Sequence, residues 1–341
     1  MNQIRILSID GGGIRGIIPA IVIAHIEEQT GCRAHQLFDL IAGTSTGGIL
    51  ALALTRPTDD GQAMYAASEL VRLFESDGRH VFSSRRQSLL KELLFTKLGS
   101  NRAPYKNTKG LKGVLNKYFE KTYLSEALTE VMIPSYDIER RIPLYFSSSY
   151  AKKNRDFDHA MRNVARATSA APTYFEPKQL FSKSKSMAMI DGGIFANNPA
   201  LSAYIEAKTL WPGLSDDNYV VVSIGTGQHS PPILVNQTRH WGLRHWATKI
   251  LDVTFDSVSE SIHSQMQHLL PPLSDDGTLM NQRYFRFQVN LEKKNTALDN
   301  ASEGNIKELR LKAERLIRDR KQELLQLSNL LNCDENNPIN G

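Results

Sequence analysis

Two apolar runs, RILSI (5–9) and LFDLIAG (37–43), each break into a glycine-rich turn and resume at once as an apolar helical pattern. The first turn is DGGGIRG (10–16), which opens into IIPAIVIAHIEEQ. The second is GTSTGG (43–48), whose glycines begin GGILALAL. Further strand-like runs at 130–138, 143–148, 186–190, 219–225 and 283–289 are interleaved with helical patterns at 158–168, 199–211, 240–268 and 303–331. Alternation of this kind predicts an α/β chain with a largely parallel sheet covered on both faces. Pro19 is tolerable in the first turn of its helix, and Gly31 is a natural stop.

Gly11, Gly13 and Gly16 fit G-x-G-x-x-G, the fingerprint of a dinucleotide-binding turn. A dinucleotide fold needs an acid at the end of its second strand to hold a ribose hydroxyl. Here that strand ends instead in Gly43-Thr44-Ser45-Thr46-Gly47, which is G-x-S-x-G, the pattern of a nucleophile elbow. Gly43 and Gly47 flank a turn too tight for a Cβ, and the turn lifts the Ser45 hydroxyl out of the sheet. The first loop then takes another role. Acyl transfer passes through an oxyanion that needs preorganised N–H donors. The loop Gly11, Gly12 and Gly13, with the Thr46 N–H, is the candidate oxyanion hole. Arg15 either anchors this loop through a carboxylate or carbonyl or assists a bound anion directly.

A serine hydroxyl needs a proton acceptor. Asp191 ends the apolar run SMAMI and is followed by Gly192 and Gly193, so it is expected at the sheet edge that carries Ser45. The alternative is an aspartate that only caps its turn. Asn198 and Pro199 read as the start of a helix without chemistry. A conventional triad places a histidine between serine and aspartate. His229, close behind the strand 219–225, is the candidate for that place. Without it, Asp191 takes the proton directly, which requires a dry site that raises its pKa.

The chain has 341 residues and a net charge of +5. Residues 79–121 hold eleven Lys and Arg against very few acids. This is either a solvated surface or a face for an anionic partner, a phospholipid surface above all. No zinc pattern or recognition-helix signature points to a nucleic acid polymer, and no metal pattern or cofactor is expected. Residues 82–110 read as a basic insertion and a candidate lid, 291–331 as a helical extension, and 332–341 as a polar tail. The first strand starts within five residues of Met1, so no signal peptide is expected. With no apolar run long enough to span a bilayer, the chain is expected to be cytoplasmic, with peripheral membrane association when active. Cys32 and Cys333 form no framework and read as incidental thiols of a reducing compartment.

DGGGIRG, GTSTGG and DGG, in this order, resemble the three signatures of the patatin-like phospholipases. The resemblance continues through LYFSSSYA, ARATSAAPTYFEP, VVVSIGTG and RYFRFQVNL, and so covers roughly residues 5–290. It implies a three-layer α/β/α fold around a mostly parallel sheet. It also implies a Ser45–Asp191 dyad without histidine, an oxyanion hole at Gly11–Gly13, and metal-independent hydrolysis of fatty acyl esters of phospholipids. A looser likeness in overall arrangement, to compact bacterial members, adds a cyclic dinucleotide activator, an antiviral role and oligomerisation on activation as expectations about control.

Overall fold

The computed structural model describes residues 3–82, 108–172, 174–182, 185–271 and 282–331. The candidate lid, except for residues 82 and 108–110, and the polar tail lie outside the described residues. In chain order the principal elements begin with β1 (Ile4–Ile9), α1 (Ile17–Thr30), β2 (Leu40–Gly43), α2 (Thr46–Leu54), α3 (Ala67–Arg72) and α4 (Thr108–Phe119). Next come β3 (Glu130–Asp137), β4 (Ile142–Ser147), α5 (Met161–Thr168), β5 (Lys178–Ser182), β6 (Lys185–Asp191) and α6 (Ala200–Leu210). The chain continues through β7 (Tyr219–Ile224), α7 (Leu243–Leu269), β8 (Tyr284–Phe287), α8 (Glu303–Asp319) and α9 (Lys321–Leu330).

The strands form one mixed sheet in the order β5-β6-β3-β2-β1-β7-β8, with β4 on β3. From β3 through β2, β1 and β7 to β8 all neighbours are parallel. β4, β5 and β6 are joined antiparallel. The period-two alternation of a strand sorts its side chains onto two faces. Leu7, Ile9, Ile41, Val220, Val222, Phe285 and Phe287 enter the larger core with α1, α2, α8 and α9. Ile4, Ile6, Leu40, Ala42, Val221 and Tyr284 enter a smaller core with α6 and with Met266 of α7. The fold is thus a three-layer α/β/α arrangement around a mostly parallel sheet.

β3 meets three strands, and the registers show how. Glu130–Met132 pair with β2 and Met132–Asp137 with β4, while Ser135–Asp137 pair with β6. β4 overlaps both of the others, so β2 and β6 share the opposite edge of β3. β2 ends at Gly43, and β6 takes up the vacated edge running the other way. Its last residue, Asp191, lies opposite Ser135. Asp191 therefore reaches the end of β2 by descending toward it. A parallel strand rising to the carboxyl edge, as its position after an apolar run suggests, is not what carries it.

Other elements depart from the pattern in the sequence. Ala34–Leu37 winds as a helical turn, so β2 is shorter than the apolar run 37–43. β5 has no apolar signature because only Leu180 is buried along it. The long C-terminal pattern divides into two helices at Arg320, whose ψ of 23° leaves the helical region. Both helices carry leucines into the larger core, where Leu309, Leu324 and Leu327 are fully covered.

Cys32, just past the Gly31 stop of α1, is disulfide-bonded, and no described cysteine is free. The chain's one other cysteine, Cys333, lies outside the described residues. This corrects the reading of Cys32 as an incidental thiol. Cys32→Ser is expected to lower stability by about 2–4 kcal/mol, read as a lower midpoint in denaturant.

Candidate active site

The elbow follows from the meeting of β2 with α2. A Cβ on Gly43 would lie 2.1 Å from the Gly47 carbonyl oxygen, and one on Gly47 would lie 2.3 Å from that of Ile9. Only glycine fits at either place. Ser45 between them has φ 54° and ψ −118°, a backbone region that L-residues occupy only when held there. Several bonds hold it. The Ser45 N–H donates to Thr168 Oγ1 at 3.0 Å, and Thr168 Oγ1 donates to the Pro134 carbonyl at 2.6 Å. Thr44 Oγ1 donates to the Ala196 carbonyl at 2.6 Å.

Ser45 Oγ donates directly to Asp191 Oδ2 at 2.7 Å. The other carboxylate oxygen accepts the Gly193 N–H at 2.7 Å. Asp191 is 3% exposed, with no cation beside it among the described residues. Burial pushes its pKa up to about 6, and the bonds from Gly193 and Ser45 limit the rise. Gly192 packs against Pro134, where a Cβ would come within 2.4 Å of the carbonyl oxygen. His229 is not between the two groups. Its Nδ1 is 2.8 Å from the Leu291 carbonyl.

The glycine loop lies against the elbow, since a Cβ on Gly11 would sit 3.3 Å from Ser45 Cβ. Its amides are sorted by partner. The Gly11 N–H donates to the Asn197 carbonyl at 3.0 Å and so does not face an oxyanion. The Gly11 carbonyl accepts Thr226 Oγ1 at 2.6 Å. The Gly12 carbonyl accepts the Arg15 N–H at 3.2 Å and Arg15 Nε at 3.3 Å. In a trans peptide, C=O and N–H point opposite ways. Pinning these two carbonyls therefore aims the N–H groups of Gly12 and Gly13 away from Thr226 and Arg15. Thr46 opens α2, so its N–H has no partner within the helix. Gly16 closes the loop's helical turn against Thr46 and Phe74.

Arg286, Thr226, Thr168 and Asn197 are missed by reasoning from sequence. Asp10, the residue before the glycine loop, is 1% exposed and forms a bidentate pair with Arg286 of β8. Arg286 Nη1 to Asp10 Oδ1 is 2.9 Å, and Nη2 to Oδ2 is 2.6 Å. Nη1 also donates to Ser223 Oγ at 2.8 Å. Burial works against the guanidinium charge, but the Asp10 carboxylate outweighs it and holds the Arg286 pKa above its ordinary value. An arginine in RYFRFQV within a predicted strand gives one clue, because its place in the alternation sends it inward beside Ser223. Arg286→Met would leave Asp10 buried and unpaired and is expected to destabilise by about 3–5 kcal/mol. Arg286→Met combined with Asp10→Asn is expected to lose less than the sum of the single changes in urea unfolding.

The profile of the patatin-like phospholipases matches residues 7–204, which span the glycine loop, the elbow and Asp191. Patatin-like protein 2 of Arabidopsis thaliana is 33% identical over 323 residues, covering 84% of this chain and 76% of that protein. Patatin-like protein 4 of the same plant is 29% identical, covering 93% of this chain and 84% of that protein. Patatin-07 of Solanum tuberosum is 31% identical with the same two coverages, 93% and 84%. The chain belongs to the patatin-like phospholipase family, whose activity is the hydrolysis of lipid acyl esters.

Proposed function

We propose that this lipid acyl hydrolase works through a Ser45–Asp191 dyad and cleaves fatty acyl esters of phospholipids at an anionic membrane surface. The observation that carries the reading is the direct 2.7 Å bond from Ser45 Oγ to Asp191 Oδ2. Asp191 accepts the hydroxyl proton as Ser45 Oγ attacks the ester carbonyl carbon. The carbonyl oxygen becomes an oxyanion, stabilised by the N–H groups of Gly12 and Gly13 with that of Thr46. When the tetrahedral intermediate collapses, the alkoxide leaves with the proton that Asp191 holds, and Ser45 keeps the acyl group. Water then attacks the acyl-enzyme, again losing its proton to Asp191, and the bond to Ser45 Oγ breaks as Asp191 returns that proton to the serine, releasing the fatty acid. A base with a pKa near 6 suits this exchange, being ionised at neutral pH yet able to hold a proton.

Ser45→Ala is expected to abolish hydrolysis of a chromogenic ester and labelling by a fluorophosphonate probe, with the unfolding midpoint unchanged. Labelling that persists in this variant would falsify the assignment of the nucleophile. Asp191→Asn is expected to lose nearly all activity, whereas His229→Ala stays within a few-fold of wild type. A His229→Ala loss as deep as that of Ser45→Ala would favour a triad instead. The free enzyme needs Asp191 ionised, so kcat/KM is expected to fall about tenfold per pH unit below an apparent pKa near 6. A flat profile between pH 5 and 7, or about that range, would remove Asp191 as the base.

A further inference from the structure

α7 passes the catalytic centre and continues beyond it. Met266 near its end is buried in the smaller core, and Ser259 Oγ donates to Asp10 Oδ2 at 3.4 Å. One turn earlier, the Phe255 ring stands 3.3 Å from where a Gly193 Cβ would lie. Asp10 follows the carboxyl end of β1, so residues before Ser259 extend past the sheet edge that holds Ser45. Helix rise sets Val253 about 9 Å and Trp246 about 20 Å further along the axis than Ser259.

This projecting part is apolar where it should be polar. Trp246, Ile250 and Val253 recur at the spacing of one helical face and are 43%, 48% and 37% exposed. The segment leading into α7 adds Ile233, Leu234 and Val235, the last 71% exposed. It leaves β7 at the same sheet edge, and Ser230 Oγ donates to Asp256 Oδ2 at 3.1 Å, which ties it to α7. Large exposed apolar groups gathered in one place mark a binding surface more often than scattered ones do. Charge identifies the occupant. Between Ser230 and Thr254 the sequence holds Arg239, Arg244, Lys249, His240 and His245 against one acid, Asp252. Arg239 and His240 are exposed. Aromatic and aliphatic groups in a segment with this excess of cations match the interface of an anionic bilayer, which takes both. A protein partner matched to so basic a strip would have to supply the acids.

We infer that residues 231–253 form the membrane-docking face of this enzyme and seat its active site on anionic phospholipid. The inference rests on the proposed function for its purpose. It moves the expected lipid contact from the basic stretch 79–121 to the rim of the site itself. Apolar groups insert at the acyl boundary, the cations meet headgroup phosphates, and the dyad one to two turns further along α7 faces the surface from which a lipid must be drawn.

The test uses the full chain and vesicles of phosphatidylcholine with or without about 30% phosphatidylserine. Wild type is expected to cosediment with the anionic vesicles more strongly than with the neutral ones, and less so at high salt. W246S/I250S is expected to lose about tenfold or more in partitioning and in vesicle hydrolysis, with hydrolysis of a soluble short-chain ester within two-fold of wild type. R239E is expected to weaken binding to the anionic vesicles alone. Unchanged thermal midpoints confirm that the variants fold. Vesicle binding by W246S/I250S equal to wild type would overturn the inference. So would a wild-type oligomer that W246S/I250S converts to a smaller species without loss of lipid binding, since a second copy would then occupy the face. Failure of the proposed function shows separately, as wild type that binds vesicles but cleaves neither vesicle lipid nor soluble ester.

Discussion

The early end of β2 at Gly43 governs the architecture of the site. A longer β2 would keep the edge of β3 to itself, as parallel neighbours usually do. Because it stops after four residues, two things become possible at one point in space. The chain can turn sharply into α2 and present Ser45, and β6 can pair with the part of β3 that β2 leaves open. β6 runs antiparallel, so its final residue is delivered toward the elbow and not away from it. The contact between Ser45 and Asp191 is a consequence of strand direction and register before it is a contact between side chains.

Two aspartates in this chain share one local pattern and take opposite parts. Asp10 and Asp191 each close an apolar run, are followed by three and two glycines, and are buried. Asp10 meets a guanidinium that satisfies both of its oxygens, and the pair fixes the start of the glycine loop to β8. Asp191 meets one backbone N–H and one hydroxyl, neither of them charged. Burial raises the pKa of both carboxyls, but at Asp10 the Arg286 guanidinium opposes the rise and engages both oxygens, whereas at Asp191 only uncharged donors oppose it. The environment therefore leaves one carboxylate inert and gives the other a proton affinity in the range that catalysis uses.

That contrast also marks how far the sequence could be read. The elbow was legible because G-x-S-x-G between an apolar strand and an apolar helix is local information, carried by residues in contact along the chain. So were most strands of the parallel part, whose inward residues on both faces make near-continuous apolar runs. β5 was not, since a strand at the sheet border buries little and Lys178, Gln179 and Ser182 carry no period. The direction of β6 was hidden for another reason: pairing partners are a long-range property that no window of the chain contains. Arg286 and Thr226 were hidden likewise, lying 276 and 215 residues from the atoms that they hold. Cys32 was misread because a long-range bond leaves no mark on the residues beside it in sequence.

The strain at Ser45 is offset by bonds that do not involve its hydroxyl. A left-handed backbone at a residue other than glycine costs on the order of 1–3 kcal/mol and persists only if its surroundings insist on it. Here the Ser45 N–H is held by Thr168, the neighbouring Thr44 by the Ala196 carbonyl, and the Gly11 N–H by the Asn197 carbonyl. Two of these acceptors lie in the short segment just after Asp191, so the elbow, the glycine loop and the turn carrying Asp191 are cross-linked through bonds that end on main-chain carbonyls. The three parts cannot drift apart independently, and their spacing does not depend on the reacting groups being present. A site of this kind is preorganised in the strict physical sense. In the proposed mechanism the donors and the base are then held where charge will develop, and little reorganisation is left when the ester arrives.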